Sequence, residues 1–84
     1  MNVVVERELR PIHVGWSARR PRLRVAARGR TEDLADKNFQ RLVRVILAGA
    51  RRQGTLMDDV AALGYGIEEA DDPEIRVVLA DIQP

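Results

Sequence analysis

The sequence predicts an α+β domain, with an antiparallel sheet of four to five strands packed against one main amphipathic helix over residues 32–53. Three observations predict it. Short β-branched and alternating stretches fill the first thirty residues. A single long apolar stripe at spacings of 3 and 4 follows them. The chain then closes on a nearly continuous apolar run from Ile75 to Ile82.

Each element follows in order. Val3-Val4-Val5-Glu6-Arg7-Glu8-Leu9 is β-branched and then alternating, which favours a strand. Pro11 interrupts it, because proline cannot donate to a ladder. Ile12-His13-Val14-Gly15-Trp16 alternates again as a second short strand, and Arg19-Arg20-Pro21 reads as a turn or an edge. In Arg22-Leu23-Arg24-Val25-Ala26-Ala27-Arg28 the alternation puts Leu23, Val25 and Ala27 on one face. Arg22, Arg24, Ala26 and Arg28 share the other. Thr31 is the expected N-cap, with Glu32 and Asp33 in the first turn, where the dipole favours anions. Ala35, Phe39, Leu42, Val43, Ile46, Leu47 and Ala50 form the apolar stripe, with Lys37, Arg41 and Arg44 opposite. Arg51 and Arg52 suit the helix C-terminus, and Gly54 suits the position after it. Thr55 begins a short helical turn with Leu56 and Met57 inward. A strand over Val60–Glu68 and a second over Glu74–Ile82 then make a closing pair, joined by Ala70-Asp71-Asp72-Pro73. The predicted core is Phe39, Leu42, Ile46, Leu63, Val77 and Leu79.

Eighty-four residues make a single domain, residues 1–84, whose margin of stability is thin at this size. Cysteine is absent, so no disulfide or thiolate metal site supplements the core, and oligomerisation is the remaining common staple. No apolar run approaches the roughly 18–20 residues of a membrane span. The opening Met1-Asn2-Val3-Val4-Val5-Glu6 turns acidic too soon for a signal peptide, which makes a cytoplasmic product the default expectation.

Charge is segregated along the chain. Residues 1–53 hold 13 of the 14 basic residues and 5 acids, whereas residues 54–84 hold Arg76 and 8 acids. Two surfaces follow as candidate interaction sites. One is a basic face of Arg22, Arg24, Arg28 and Arg30, and the other is an acidic turn of Glu68, Glu69, Asp71, Asp72 and Glu74. Segregation of this kind suggests faces that attract each other within a subunit or between neighbours.

No catalytic centre emerges. His13 stands alone between apolar residues, and Ser17 lacks a nucleophile motif. The acidic turn lacks the alternation and the glycine of a calcium loop. Gly64-Tyr65-Gly66 has no phosphate-loop context and reads as a strand kink or bulge. The expectation is a non-enzymatic protein with no cofactor, no metal and no small-molecule substrate. Residues 54–64 superficially echo the start of a helix-turn-helix. Its recognition helix would fall in an acidic stretch interrupted by Pro73, and phosphate repels such a surface. Any nucleic acid bound is expected on the arginine strand, where a small basic regulatory protein would hold DNA or a protein partner. Trp16 is the one aromatic there to stack on a base.

From Pro21 to Ile82 the order of features resembles the tail-terminator proteins of long-tailed phages. The matching stretches are Arg22-Leu23-Arg24-Val25-Ala26-Ala27, the helix Thr31–Arg52, Gly54-Thr55-Leu56-Met57-Asp58-Asp59-Val60, and the closing strand Ile75–Ile82. Family members usually carry a helix before the first strands, whereas this chain starts with Val3-Val4-Val5. The resemblance implies a homo-oligomeric ring component of a phage tail or head–tail neck. It would contact other virion proteins and, non-specifically, DNA, and would reside in a virion assembled in the host cytoplasm.

Overall fold

A computed structural model describes residues 1–63, 66–68 and 74–82. The chain runs β1 (Asn2–Ile12), β2 (Gly15–Arg20), a 3-10 turn (Pro21–Leu23), β3 (Val25–Gly29), α1 (Glu32–Gln53), α2 (Leu56–Leu63), β4 (Gly66–Glu68) and β5 (Arg76–Asp81). The architecture is α+β, with five strands in one sheet and the helices on one of its faces.

β1 is the hub of the sheet. Its second half forms an antiparallel hairpin with β2, from Glu8↔Arg19 to Ile12↔Gly15, and β2 continues antiparallel to β3. Its first half pairs antiparallel with β4 (Val3↔Ile67) and parallel with β5 (Val3↔Val77). Both partners register on Asn2–Val4, so they occupy the two sides of β1. The closing strands therefore do not form a hairpin with each other. Instead, β5 lies parallel to β1, with Val77 buried toward the helices and Val78 exposed on the other face.

Pro11 does not end β1. It pairs opposite Trp16 next to the turn, beyond the stretch that β4 and β5 engage, so its missing N–H costs at most one ladder bond. His13 consequently lies in the exposed turn rather than in a strand. Gly15 closes that turn at φ +145°, and a Cβ there would collide with the carbonyl of Gly29. Gly29 in turn abuts the backbone of Leu34 and Ala35, where a side chain would prevent α1 from reaching β3.

α1 occupies the predicted span because both of its ends are specified. Thr31 is extended, and its Oγ1 accepts the Leu34 N–H at 3.2 Å. At the other end Gly54 adopts φ 79°, with its N–H on the Arg51 carbonyl at 3.3 Å and the Thr55 N–H on Ala50 at 2.9 Å. This is the Schellman arrangement that lets glycine stop a helix. The strand expected from Val60 begins as helix instead. Leu56, Val60 and Leu63 are spaced i, i+4, i+7 and face inward, while the good helix formers Ala61 and Ala62 face solvent. Gly64 and Tyr65 of that expected strand lie outside the described residues.

The core joins Val3 and Val5 of β1, Ala18 of β2 and Val77 of β5 to Ala35, Phe39, Val43 and Leu47 of α1. Val60 and Leu63 of α2 close one end. Phe39, Leu63 and Val77 match the predicted core. Leu42 does not, being 36% exposed, and Ile46 and Leu79 only line the margin. A stripe seven residues wide exceeds what one helix buries against one sheet, so its Leu42 edge remains outside. Among the described residues no element covers the opposite face of the sheet, where Arg10, Ala26, Arg28, Arg76 and Val78 are exposed.

Candidate interaction surfaces

The strand alternation of β1 sorts its charges. Val3, Val5, Arg7 and Leu9 face the helices, and Val4, Glu6, Glu8 and Arg10 face away. Arg7 is thus driven into the covered side, where its side chain is 11% exposed. Its guanidinium grips Asp36 of α1 as a fork, Nε to Oδ1 at 2.7 Å and Nη2 to Oδ2 at 2.9 Å. Its Nη1 donates to Asp81 of β5. The hydrogen bond to Asp36, more than any other influence, raises the Arg7 pKa above its ordinary value against the opposing effect of burial. Arg7 therefore stays charged until strong alkali, and the grip weakens through Arg7 only there. Sequence reading missed this cluster. Its one signal was a cation at an inward position of an alternating strand.

On the bare face the carboxylates claim the arginines beside them. Glu6 accepts from Arg20 at 3.0 Å, and Glu8 accepts from Arg10 at 3.2 Å. Arg19 Nε lies 3.5 Å from Glu8, an ion pair too poorly aligned to be a hydrogen bond.

Arg22, Arg24, Arg28 and Arg30 are all exposed and, among the described residues, make no ion pair. They do not share one strand face. Pro21 starts a 3-10 turn that carries Arg22, and Arg24 takes a left-handed conformation at φ 53° before β3 begins. Arg28 projects from β3, in register through Ser17 with Arg10, and Arg30 follows the strand end. Arg22 lies beside Glu6 and Glu8 in the turn before β3, whereas Arg28 and Arg30 lie at the far end of that strand, so the four form neither a ribbon nor a single patch. Of the acidic turn, Glu68 is exposed at the end of β4, in register with Asn2. Glu74 is exposed as well, and its carbonyl accepts the Met1 ammonium at 3.0 Å. Glu69, Asp71 and Asp72 lie outside the described residues.

Two further surfaces come from α1. One flank carries Leu34, Leu42 and Val45 at 45%, 36% and 64% exposure, and Asn38 between them donates to the Arg28 carbonyl at 2.7 Å. The apolar stripe is thereby tied to the Arg28 end of β3. The outer side carries the exposed cations Lys37, Arg41, Arg44, Arg51 and Arg52. Where its last turns pass β5, Arg44, Arg51, Arg52, Glu74 and Arg76 line an open groove.

Among the described residues no three histidine or carboxylate side chains converge as metal ligands. No described helix is long and apolar enough to cross a membrane. Compared with known protein families, characterised proteins and solved structures, the chain matches none of them.

Proposed function

We propose that the chain is a non-enzymatic structural module that associates head to tail with copies of itself, as a joining component of a phage tail or head–tail neck does. One observation carries this reading, namely that the exposed carboxylates Glu68 and Glu74, with Arg76 among them, gather at the Asn2 end of β1, whereas Arg28 and Arg30 lie toward its Arg10 end. Glu68 registers with Asn2, and Arg28 registers through Ser17 with Arg10. Eight residue steps of strand separate these levels by about 26 Å. Unlike charges that far apart do not neutralise each other across water and salt. A second copy brings them together, in a heterologous contact that closes into a ring when its rotation permits.

Exposed ion pairs contribute only about 0–1 kcal/mol each, so apolar area has to supply the affinity. Val3 and Val5 are fully buried and therefore unavailable for it. The Leu34, Leu42 and Val45 stripe supplies that area instead, with Arg28 and Arg30 at its rim, an apolar centre with a polar margin. The phage setting rests on the order of features from Pro21 to Ile82. Sedimentation velocity tests the association, and negative-stain microscopy tests ring closure. The wild type is expected to form a closed oligomer at micromolar concentration and low salt. Val45→Glu, at an exposed helix position, should return it to monomer while leaving the circular-dichroism spectrum of the folded chain in place. A wild type that remains monomeric at high micromolar concentration overturns the reading.

A further inference from the structure

We infer that the outer side of α1 binds the phosphate backbone of duplex nucleic acid without reading its sequence. Lys37, Arg41, Arg44 and Arg52 are exposed there, and no described acid pairs with them. Arg51 and Arg76 stand beside Glu74 in the groove and are left out of the count. At 1.5 Å per residue the cations span about 22 Å of helix. A duplex carries one phosphate charge per about 1.7 Å, so this length meets more phosphates than it has cations. Planar guanidinium groups, which make up three of the four, match phosphate oxygens two at a time.

The packing of α1 argues for nucleic acid over a lipid surface. A basic amphipathic helix holds a membrane by sinking its apolar face into the headgroup region. Here the central apolar residues Phe39, Val43 and Leu47 are fully buried against the sheet, and the exposed Leu34, Leu42 and Val45 are too few to sink the helix among headgroups. The surface is distinct from Arg22 and Arg24, which lie in the turn before β3, but it shares α1 with the Leu34, Leu42 and Val45 stripe, so duplex affinity and oligomeric mass are read separately in the test.

The test is fluorescence anisotropy of a labelled 20-base-pair duplex of arbitrary sequence, from about 50 to 200 mM salt, with the wild-type chain. Four contacts predict a slope of log affinity on log salt of about −3.6, at roughly −0.9 per phosphate. Arg41→Glu with Arg44→Glu should weaken binding at least tenfold near 50 mM, and Arg41→Gln with Arg44→Gln should flatten the slope by about two contacts. Arg22→Glu with Arg24→Glu should leave both readouts close to wild type. Circular dichroism and sedimentation establish that the variants keep their fold and mass. Absence of duplex binding near 50 mM salt overturns the inference. So does a loss confined to the Arg22 and Arg24 variant, or a helix variant whose only change is in oligomeric mass. Binding to anionic vesicles but not to duplex overturns it as well.

Discussion

The two faces of β1 treat charge in opposite ways. On the covered face one cation, Arg7, is surrounded by valines and leucine and is held by a two-point grip on Asp36 and by Asp81. On the bare face Glu8 pairs loosely with Arg10 and Arg19, which water also reaches. A buried charge is tolerated only while its partners are in place, so Arg7 fixes where α1 and β5 sit on β1. A solvated pair holds nothing in place, and its residues remain available to a partner molecule.

The comparison breaks most readily in the core beneath α1. Phe39→Ala should cost about 3–5 kcal/mol, whereas Leu42→Ala, at the exposed edge of the same stripe, should cost under about 1 kcal/mol. Chemical denaturation of the two variants checks this, and equal losses would mean that the buried arc of α1 is wrongly drawn. Next comes Asp36→Ala, which leaves Arg7 inside with one partner, and that partner, Asp81, is 86% exposed. Breaking a buried pair typically costs 3–5 kcal/mol, and the partial exposure of Asp36 reduces this to about 2–3. Removing both charges, as Arg7→Met with Asp36→Leu, should recover most of that loss in the melting midpoint. Thr31→Ala deletes the cap on Leu34 and should cost about 1 kcal/mol. On the bare face Glu8→Gln should change stability by no more than about 0.5 kcal/mol. A larger effect there would show that the outward pairs help hold the sheet.

Local signals were read well, and remote ones were not. Thr31 and Gly54 mark the ends of α1 because capping is decided within four residues of each terminus. The parallel pairing of β5 with β1 joins segments more than seventy residues apart, and no short pattern announces it. The alternation read as a strand from Val60 competed with the helical spacing of Leu56, Val60 and Leu63, and the helix that starts after Gly54 runs on to Leu63. The arginines at 22, 24, 28 and 30 were found because exposure follows from charge. Their arrangement was misread because Pro21 and the left-handed Arg24 break the alternation on which it depended. Arg7 escaped notice because its partners come from α1 and the far end of the chain.

The pairing of the first strand with the last also governs when the molecule can fold. Val3 and Val5 leave the ribosome more than seventy residues before their neighbours Val77 and Leu79. At roughly 5–20 residues per second, the early valines wait on the order of 4–15 s for their parallel partner. During that interval the hairpin of β1 and β2 presents an unpaired strand edge beside apolar side chains, a template for wrong association. Contacts this distant in sequence also slow the final closure itself. The sheet is therefore complete only once β5 has been made, and the yield in a cell is expected to depend on chaperone supply.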